Sequence, residues 1–208
     1  MEHKIIIAGI GPGSPDYILP IASRTIAQAK VLVGSQRALT AFAPAHITTK
    51  VIDKDIAGVL SFIRESLTNN DVVVMVSGDP GFYSLLAAIR KDFIPSQIMV
   101  IPGISSVQLA FARMAEVWQD ATLISMHGRR ASDEDLQYKA NKKLAILTDH
   151  EYSPSYIAHV LLDHGWPVDG QVWLGEKLSY DDEASKKLTL EETTKLIGFS
   201  HCVMVVMT

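Results

Sequence analysis

Short β-branched runs alternate with longer segments whose apolar residues recur at helical spacing, the pattern of parallel strands covered by helices, so the chain reads as α/β. Residues 4–10 predict a first strand, 17–30 a helix with Pro20 tolerated near its start, and Val31-Leu32-Val33 a short second strand followed by a helix from Ser35. Ile56, Val59, Leu60, Ile63 and Leu67 mark a further helix, which Asn69-Asn70 ends before the buried-strand run 72–76. After a turn at 77–81 the pattern gives a helix over about 82–90, a strand over 98–101, a turn at Pro102-Gly103 and a helix over about 105–114.

The pattern shifts at 116–120, which places a domain boundary there: 1–116 as an N-terminal α/β domain with glycine-rich turns, 117–208 as a C-terminal α/β domain. In the second part, strands are expected at 121–126, 144–147, 172–174 and 202–207. Helices are expected at 155–162 and 190–196, with more hairpin-like connections.

Composition narrows the class. The chain has 208 residues, 48% of them apolar, and 19 Lys+Arg against 23 Asp+Glu leave a net charge of −4. That excludes a disordered chain and argues against a non-specific nucleic-acid binder, which would carry a basic excess or stripe. A single cysteine, Cys202 in an apolar run, excludes a disulfide framework or a cysteine zinc site and points to a reducing compartment. The start, Met1-Glu2-His3-Lys4, passes into an apolar run too short for a signal peptide, and nothing approaches a bilayer span, so a cytoplasmic protein away from membranes is expected.

Three glycine-rich turns follow strands: Gly9-Ile10-Gly11-Pro12-Gly13-Ser14, Ser77-Gly78-Asp79-Pro80-Gly81 and Pro102-Gly103-Ile104-Ser105-Ser106. In open α/β sheets the carboxyl ends of strands form the ligand edge. The first turn departs from a dinucleotide fingerprint. Ser14 holds the last glycine position, Pro12 lacks an N–H, and no acidic residue follows the second strand, where Gly34-Ser35-Gln36-Arg37 stands instead. Taken singly, each turn can also be read as a tight turn without ligand, with Asp79 and Ser105 or Ser106 as helix caps. Together they suggest a pocket of backbone groups, small hydroxyls and one carboxylate, suited to a neutral or cationic adenosine-like ligand; no phosphate-loop lysine is present.

Further on, Ser125-Met126-His127-Gly128-Arg129-Arg130 places an imidazole and two guanidiniums after a strand. This suits a polyanionic ligand, or is a solvated turn. Asp149-His150-Glu151 is a poor metal group because adjacent residues diverge on any regular element. His159 and His164 lack a metalloprotease pattern, and Asp181-Asp182-Glu183 reads as a solvated loop.

The three turns, in this order, resemble those of the tetrapyrrole (corrin/porphyrin) methylase family over essentially the whole chain. The 125–129 stretch, and Gly175-Glu176-Lys177-Leu178 followed by Asp182-Glu183, look most like its precorrin C5 methyltransferase branch, which acts on precorrin-7 or its cobalt form in cobalamin (vitamin B12) biosynthesis. The resemblance implies two α/β domains, each an open mixed sheet flanked by helices, a homodimer, and S-adenosylmethionine as methyl donor in the inter-domain cleft, with no metal bound by the protein itself. By position the donor site would use Gly11, Pro12, Ser77, Gly78, Asp79, Ser105 and Ser106, with Leu147, Thr148 and His201 from the second domain. Ser77 and Ser105-Ser106 depart from the glycine and threonine-alanine that many relatives carry. Arg37, His127, Arg129 and Arg130 would face the acetates and propionates of a precorrin substrate.

Direct attack of an electron-rich ring carbon on a sulfonium methyl needs alignment more than acid help. No catalytic residue is fixed by the sequence; if a proton must leave, Asp79, Asp16 and His127 are the candidates. Alternatives within the family are another precorrin or uroporphyrinogen carbon, or a protein or RNA acceptor, the last disfavoured by charge. Outside it stands a non-catalytic nucleotide-binding module. Because some C5 enzymes are fused to a C15-methyltransferase and decarboxylase, for which this chain leaves no room, association with a separate C15 protein is expected.

Overall fold

The computed structural model describes residues 3–208. The chain divides into two compact units, Met1–Ser105 and Ser106–Thr208.

In the first unit, β1 (Ile5–Gly9), β2 (Val31–Gly34), β3 (Thr48–Val51), β4 (Val72–Val76) and β5 (Ile98–Ile101) form one sheet in the order β3-β2-β4-β1-β5. Every pairing in it is parallel, where the resemblance implies a mixed sheet. Each return crosses a face through α1 (Pro20–Ala27), α2 (Gln36–Phe42), α3 (Ile56–Ser66) or α4 (Leu86–Asp92). With no tight hairpin between them, neighbouring strands run the same way. The two-residue period of a strand sorts the core. Ile5, Ile7, Val31, Val33, Val72 and Val74 pack with Val59 and Ile63 of α3 and Ile89 of α4, while Ala8, Leu32, Val73 and Met75 pack with Ala22 and Ile26 of α1 and Leu39 of α2.

Two predicted helices are shortened for identifiable reasons. The helix expected over 17–30 begins at Pro20, because Leu19 is held extended before the proline and Pro15–Tyr17 forms a separate single turn capped by Ser14. The helix expected from 82 begins at Leu86. Phe82 N–H first closes a turn on Asp79 O at 3.1 Å, and Tyr83, at φ 49°, breaks the helical path. The pattern also missed β3, an edge strand whose Thr48 and Thr49 are exposed and which therefore carries no apolar run.

The second unit contains α5 (Ser106–Met114), β6 (Ala121–Ser125), α6 (Asp133–Leu136), β7 (Lys143–Leu147), α7 (Pro154–Asp163), β8 (Gln171–Glu176), β9 (Ala184–Thr189), α8 (Leu190–Thr194) and β10 (Cys202–Met207). Its sheet, ordered β6-β7-β10-β8-β9, is mixed: β6 and β7 are parallel and the other pairs antiparallel. The division falls before α5 rather than at 116–120, because α5 packs on β7 and β10 of the second sheet. Like β3, β9 is an exposed edge strand that hydrophobic periodicity does not reveal. Ile124, Leu144, Ile146, Leu174, Met204 and Val206 pack against Ile157 and Leu161 of α7 and Leu190 of α8. Trp166 closes that core, its indole N–H donating to Leu136 O at 2.7 Å. Among the described residues no helix is long and apolar enough to cross a membrane.

Candidate active site

The three turns leave the carboxyl ends of β1, β4 and β5. These strands are neighbours in the order β4-β1-β5, so the fold gathers the turns at one edge of the first sheet. Gly11 and Gly78 form a bridge in which Gly78 N–H donates to Gly11 O at 2.8 Å. A Cβ on Gly9 would lie 2.6 Å from Gly78 O and 2.7 Å from Gly103 N, and one on Gly103 only 2.2 Å from Gly78 O. These glycines are therefore required for the turns to pack on one another, a different reason from the close approach of a ligand that their spacing suggests. Gly11 and Gly78, at φ 76° and 68°, also hold left-handed backbone.

Asp79 ties the second turn to the third: Oδ1 accepts Gly81 N–H at 2.7 Å and Oδ2 accepts Gly103 N–H at 3.0 Å. With both oxygens taken by amides, it is a poorly placed base. Asp16 lies exposed in the single turn after β1, its amide donating to Ser14 Oγ at 3.3 Å. Arg37, from the first turn of α2, reaches back to donate to Ser77 Oγ at 3.3 Å, which puts this guanidinium beside the second turn. Ser105 is buried and Ser106 opens α5. Pro12 follows Gly11 within the first turn. The donor set there is hydroxyls, peptide groups and one carboxylate without a lysine, which fits a nucleoside carrying little or no negative charge.

A second group of predicted residues meets at one edge of the second sheet, where β6 and β7 end and β10 begins. Three successive amides after β6 are each held: Met126 N–H by Leu147 O at 2.8 Å, His127 N–H by Ser125 Oγ at 3.3 Å, and Gly128 N–H by Asp149 Oδ2 at 2.5 Å. Gly128 is left-handed at φ 67°, and nothing would touch a Cβ there. The His127 ring is exposed and meets the His201 ring edge-on, centroids 5.7 Å apart. Thr148 is buried. Its hydroxyl accepts Cys202 N–H at 3.0 Å and bonds Ser200 O, and its own N–H donates to Cys202 O at 3.1 Å, so the side chain fastens β10 rather than pointing to solvent.

Asp149 was passed over in the sequence as part of a poor metal group. Burial would raise its pKa, but amide hydrogen bonds from Tyr152, Gly128 and Glu151 and the positive charge of His127 together hold it below the usual carboxylate range. An aspartate four residues ahead of Ser153-Pro154, a helix cap followed by a first-turn proline, was the available sign of this turn. Among the described residues no cluster of three or more His, Cys, Asp or Glu is arranged to hold a metal ion.

Arg129 and Arg130 are exposed on the same loop, and Arg130 pairs with Asp133 at 3.0 Å. The loop 177–183 is less solvated than its acidic sequence suggests. Glu183 accepts from Arg113 Nε at 2.6 Å and Nη2 at 3.1 Å and from Ser179 N–H at 2.7 Å, which fixes the left-handed Ser179. A cavity of about 350 Å³ lined by His3, Lys30 and Asp71 lies at the amino edge of the first sheet, away from the turns.

The chain thus comprises two α/β units, one with three interlocked glycine turns on a parallel sheet and the other with a histidine-arginine loop on a mixed sheet. Residues 4–194 match the model of the Tetrapyrrole (Corrin/Porphyrin) Methylases, and the chain belongs to that family. It is 30% identical over 197 residues, 90% of each chain, to a probable cobalt-precorrin-7 C(5)-methyltransferase of Methanocaldococcus jannaschii. It is 32% identical over 179 residues, 86% of this chain and 87% of the other, to the cobalt-precorrin-7 C(5)-methyltransferase of Salmonella typhimurium. The fold matches that of the uroporphyrin-III C-methyltransferase of Thermus thermophilus in complex with S-adenosyl homocysteine, with a TM-score of 0.76, 20% identity, and 98% and 91% of the two chains covered.

Proposed function

We propose that this chain transfers a methyl group from S-adenosylmethionine to carbon 5 of precorrin-7 or cobalt-precorrin-7. The observation that carries the reading is the likeness to C5 methyltransferases over nine tenths of the chain. The interlocked turns support it, since their chemistry fits a nucleoside with a positive sulfonium better than a polyphosphate.

In this reading the donor supplies an activated methyl, and the protein's task is alignment and exclusion of water. Ser77, Gly78, Asp79, Ser105 and Ser106 hold the nucleoside with Gly11 and Pro12. Asp79 acts by keeping the turn amides in register, since both its oxygens are engaged. Leu147, Thr148 and His201 belong to the same donor set by their position in the family pattern. Arg37, Arg129 and Arg130 take up the acceptor's carboxylates, for which guanidinium geometry is suited. A homodimer, association with a separate C15-methyltransferase and decarboxylase, a cytoplasmic location and a donor site without metal belong to the same proposal.

Isothermal titration with S-adenosylhomocysteine, against NADH and ATP, tests the donor site. Methyl transfer to precorrin-7 and its cobalt form tests the acceptor. Binding of the thioether without turnover of either acceptor would move the reading to another tetrapyrrole carbon or to a non-catalytic module.

A further inference from the structure

At the edge of the second sheet, His127 of the loop after β6 and His201 of the proposed donor site are each held in place by a neighbouring buried side chain. β7 lies between β6 and β10, and the two residues at its end each reach to one side. Thr148 fastens the segment entering β10, through Ser200 O and Cys202 N–H, and so fixes His201 between them. Asp149 fastens the loop leaving β6 through Gly128 N–H at 2.5 Å, and so fixes His127, while its other oxygen accepts Tyr152 N–H at 2.7 Å. Side chains that point inward thus hold the backbone on either side of two outward-facing imidazoles.

Resting on the C5 reading above, we propose that His127 receives the proton released from the methylated carbon, with Asp149 and Thr148 as positioning residues and His201 as its ring partner. Replacing hydrogen by methyl at a ring carbon forms a carbon–methyl bond as the sulfur–methyl bond breaks and its electron pair stays on sulfur. The carbon–hydrogen bond then breaks, its pair returns to the conjugated ring, and the proton passes to the His127 imidazole. Of the three groups the sequence offers, Asp79 has both oxygens committed to amides and Asp16 sits exposed in a surface turn, whereas His127 is exposed at its ring and held on both sides by its backbone. The charged and titratable groups on the surrounding elements are Asp149 after β7, His201 before β10, Glu176 at the end of β8 opposite Cys202, and Arg129 and Arg130 on the loop itself.

The test uses the full chain. The Asp149 carboxyl is titrated by carbon NMR in wild type and in His127→Gln, His201→Gln and Asp149→Asn as an assignment control. Single-turnover methyl transfer to precorrin-7 is then followed across pH. In His127→Gln the Asp149 midpoint should move upward, the transfer rate should fall by about 10² to 10⁴-fold, and the acid limb of the rate profile should flatten, with S-adenosylhomocysteine affinity unchanged. Asp149→Asn should lower the rate in the same direction without loss of donor affinity. A wild-type rate and profile in folded His127→Gln overturns the proton step, and an unmoved Asp149 midpoint overturns the Asp149–His127 coupling. A wild-type chain inert toward precorrin-7 overturns the acceptor and the proton step with it, whereas the Asp149 titration still decides the bracket by itself.

Discussion

Replacing Asp79 by alanine separates a structural account of the turns from a purely ligand-binding one. The carboxylate receives two amide hydrogen bonds, from Gly81 at 2.7 Å and from Gly103 at 3.0 Å, the second spanning 24 residues of sequence to the next turn. A hydrogen bond to a charged acceptor contributes about 1.5–3 kcal/mol when buried; Asp79 is only half-buried, which puts the pair together at about 2–3 kcal/mol. The loss is felt wholly in the first unit, a segment of domain size in which 1 kcal/mol moves the melting midpoint by about 4 °C, so a drop of about 8–12 °C is expected. Urea and thermal unfolding followed by far-ultraviolet circular dichroism measure this directly. Tryptophan fluorescence reads only the second unit, because Trp118, Trp166 and Trp173 all lie there. Donor affinity of the folded protein should fall as well, since the Gly103 amide is no longer held. An unfolding midpoint within about 0.5 kcal/mol of wild type, the range of a surface substitution, would refute the structural role assigned to this carboxylate.

Gly103→Ala should be worse than Gly128→Ala. The first Cβ meets Gly78 O at 2.2 Å and costs about 3 kcal/mol or more in overpacking, whereas the second meets nothing and costs only about 1–2 kcal/mol for its left-handed φ, a contrast that paired denaturant titrations measure. Cys202 is buried and its thiol is pushed up to about 12 by desolvation, so iodoacetamide at pH 8 should label it only as fast as the protein unfolds. Rapid labelling of the native chain would contradict that. Asp149 and Glu183 both titrate below their ordinary values, Asp149 through amide bonds that outweigh its burial and Glu183 chiefly through Arg113. The unfolded chain therefore binds protons first. The stability these groups add is fully present above the ordinary values of 3.8 and 4.5 and is lost as pH falls through the lower native ones. Glu183→Gln should flatten that acid limb in unfolding curves taken between pH 6 and about 3.

The buried strands and the helices that cover them were legible in the sequence because their apolar residues repeat with a fixed period. Val72–Val76 and Cys202–Met207 fall where continuous apolar runs place them, and α3 is marked by its apolar face, though it ends at Ser66, ahead of the Asn69-Asn70 pair expected to stop it. The edge strands β3 and β9 were not, since an exposed edge needs no apolar alternation and here carries threonine and lysine. The turns of the first sheet were legible as glycine clusters, but the reason for the glycines was not. Only the strand order, with β4 and β5 on either side of β1, shows that the backbones meet each other. Asp149 and Glu183 were hidden in acidic stretches that look solvated, because a carboxylate that accepts several amides is indistinguishable by composition from one that faces water.

The three-way contact of Gly9, Gly78 and Gly103 also bears on what a motif of this kind can report. Gly9 and Gly103 are demanded by the backbone of another turn and Gly78 by its own left-handed φ, so a descendant that had abandoned methyl transfer altogether would still have to keep all three in order to fold. The three glycines are a record of architecture, silent on chemistry. What distinguishes one acceptor from another must be written elsewhere in the chain, and the segments with that freedom are the loops after β6 and β8, where side chains rather than main chain set the surface.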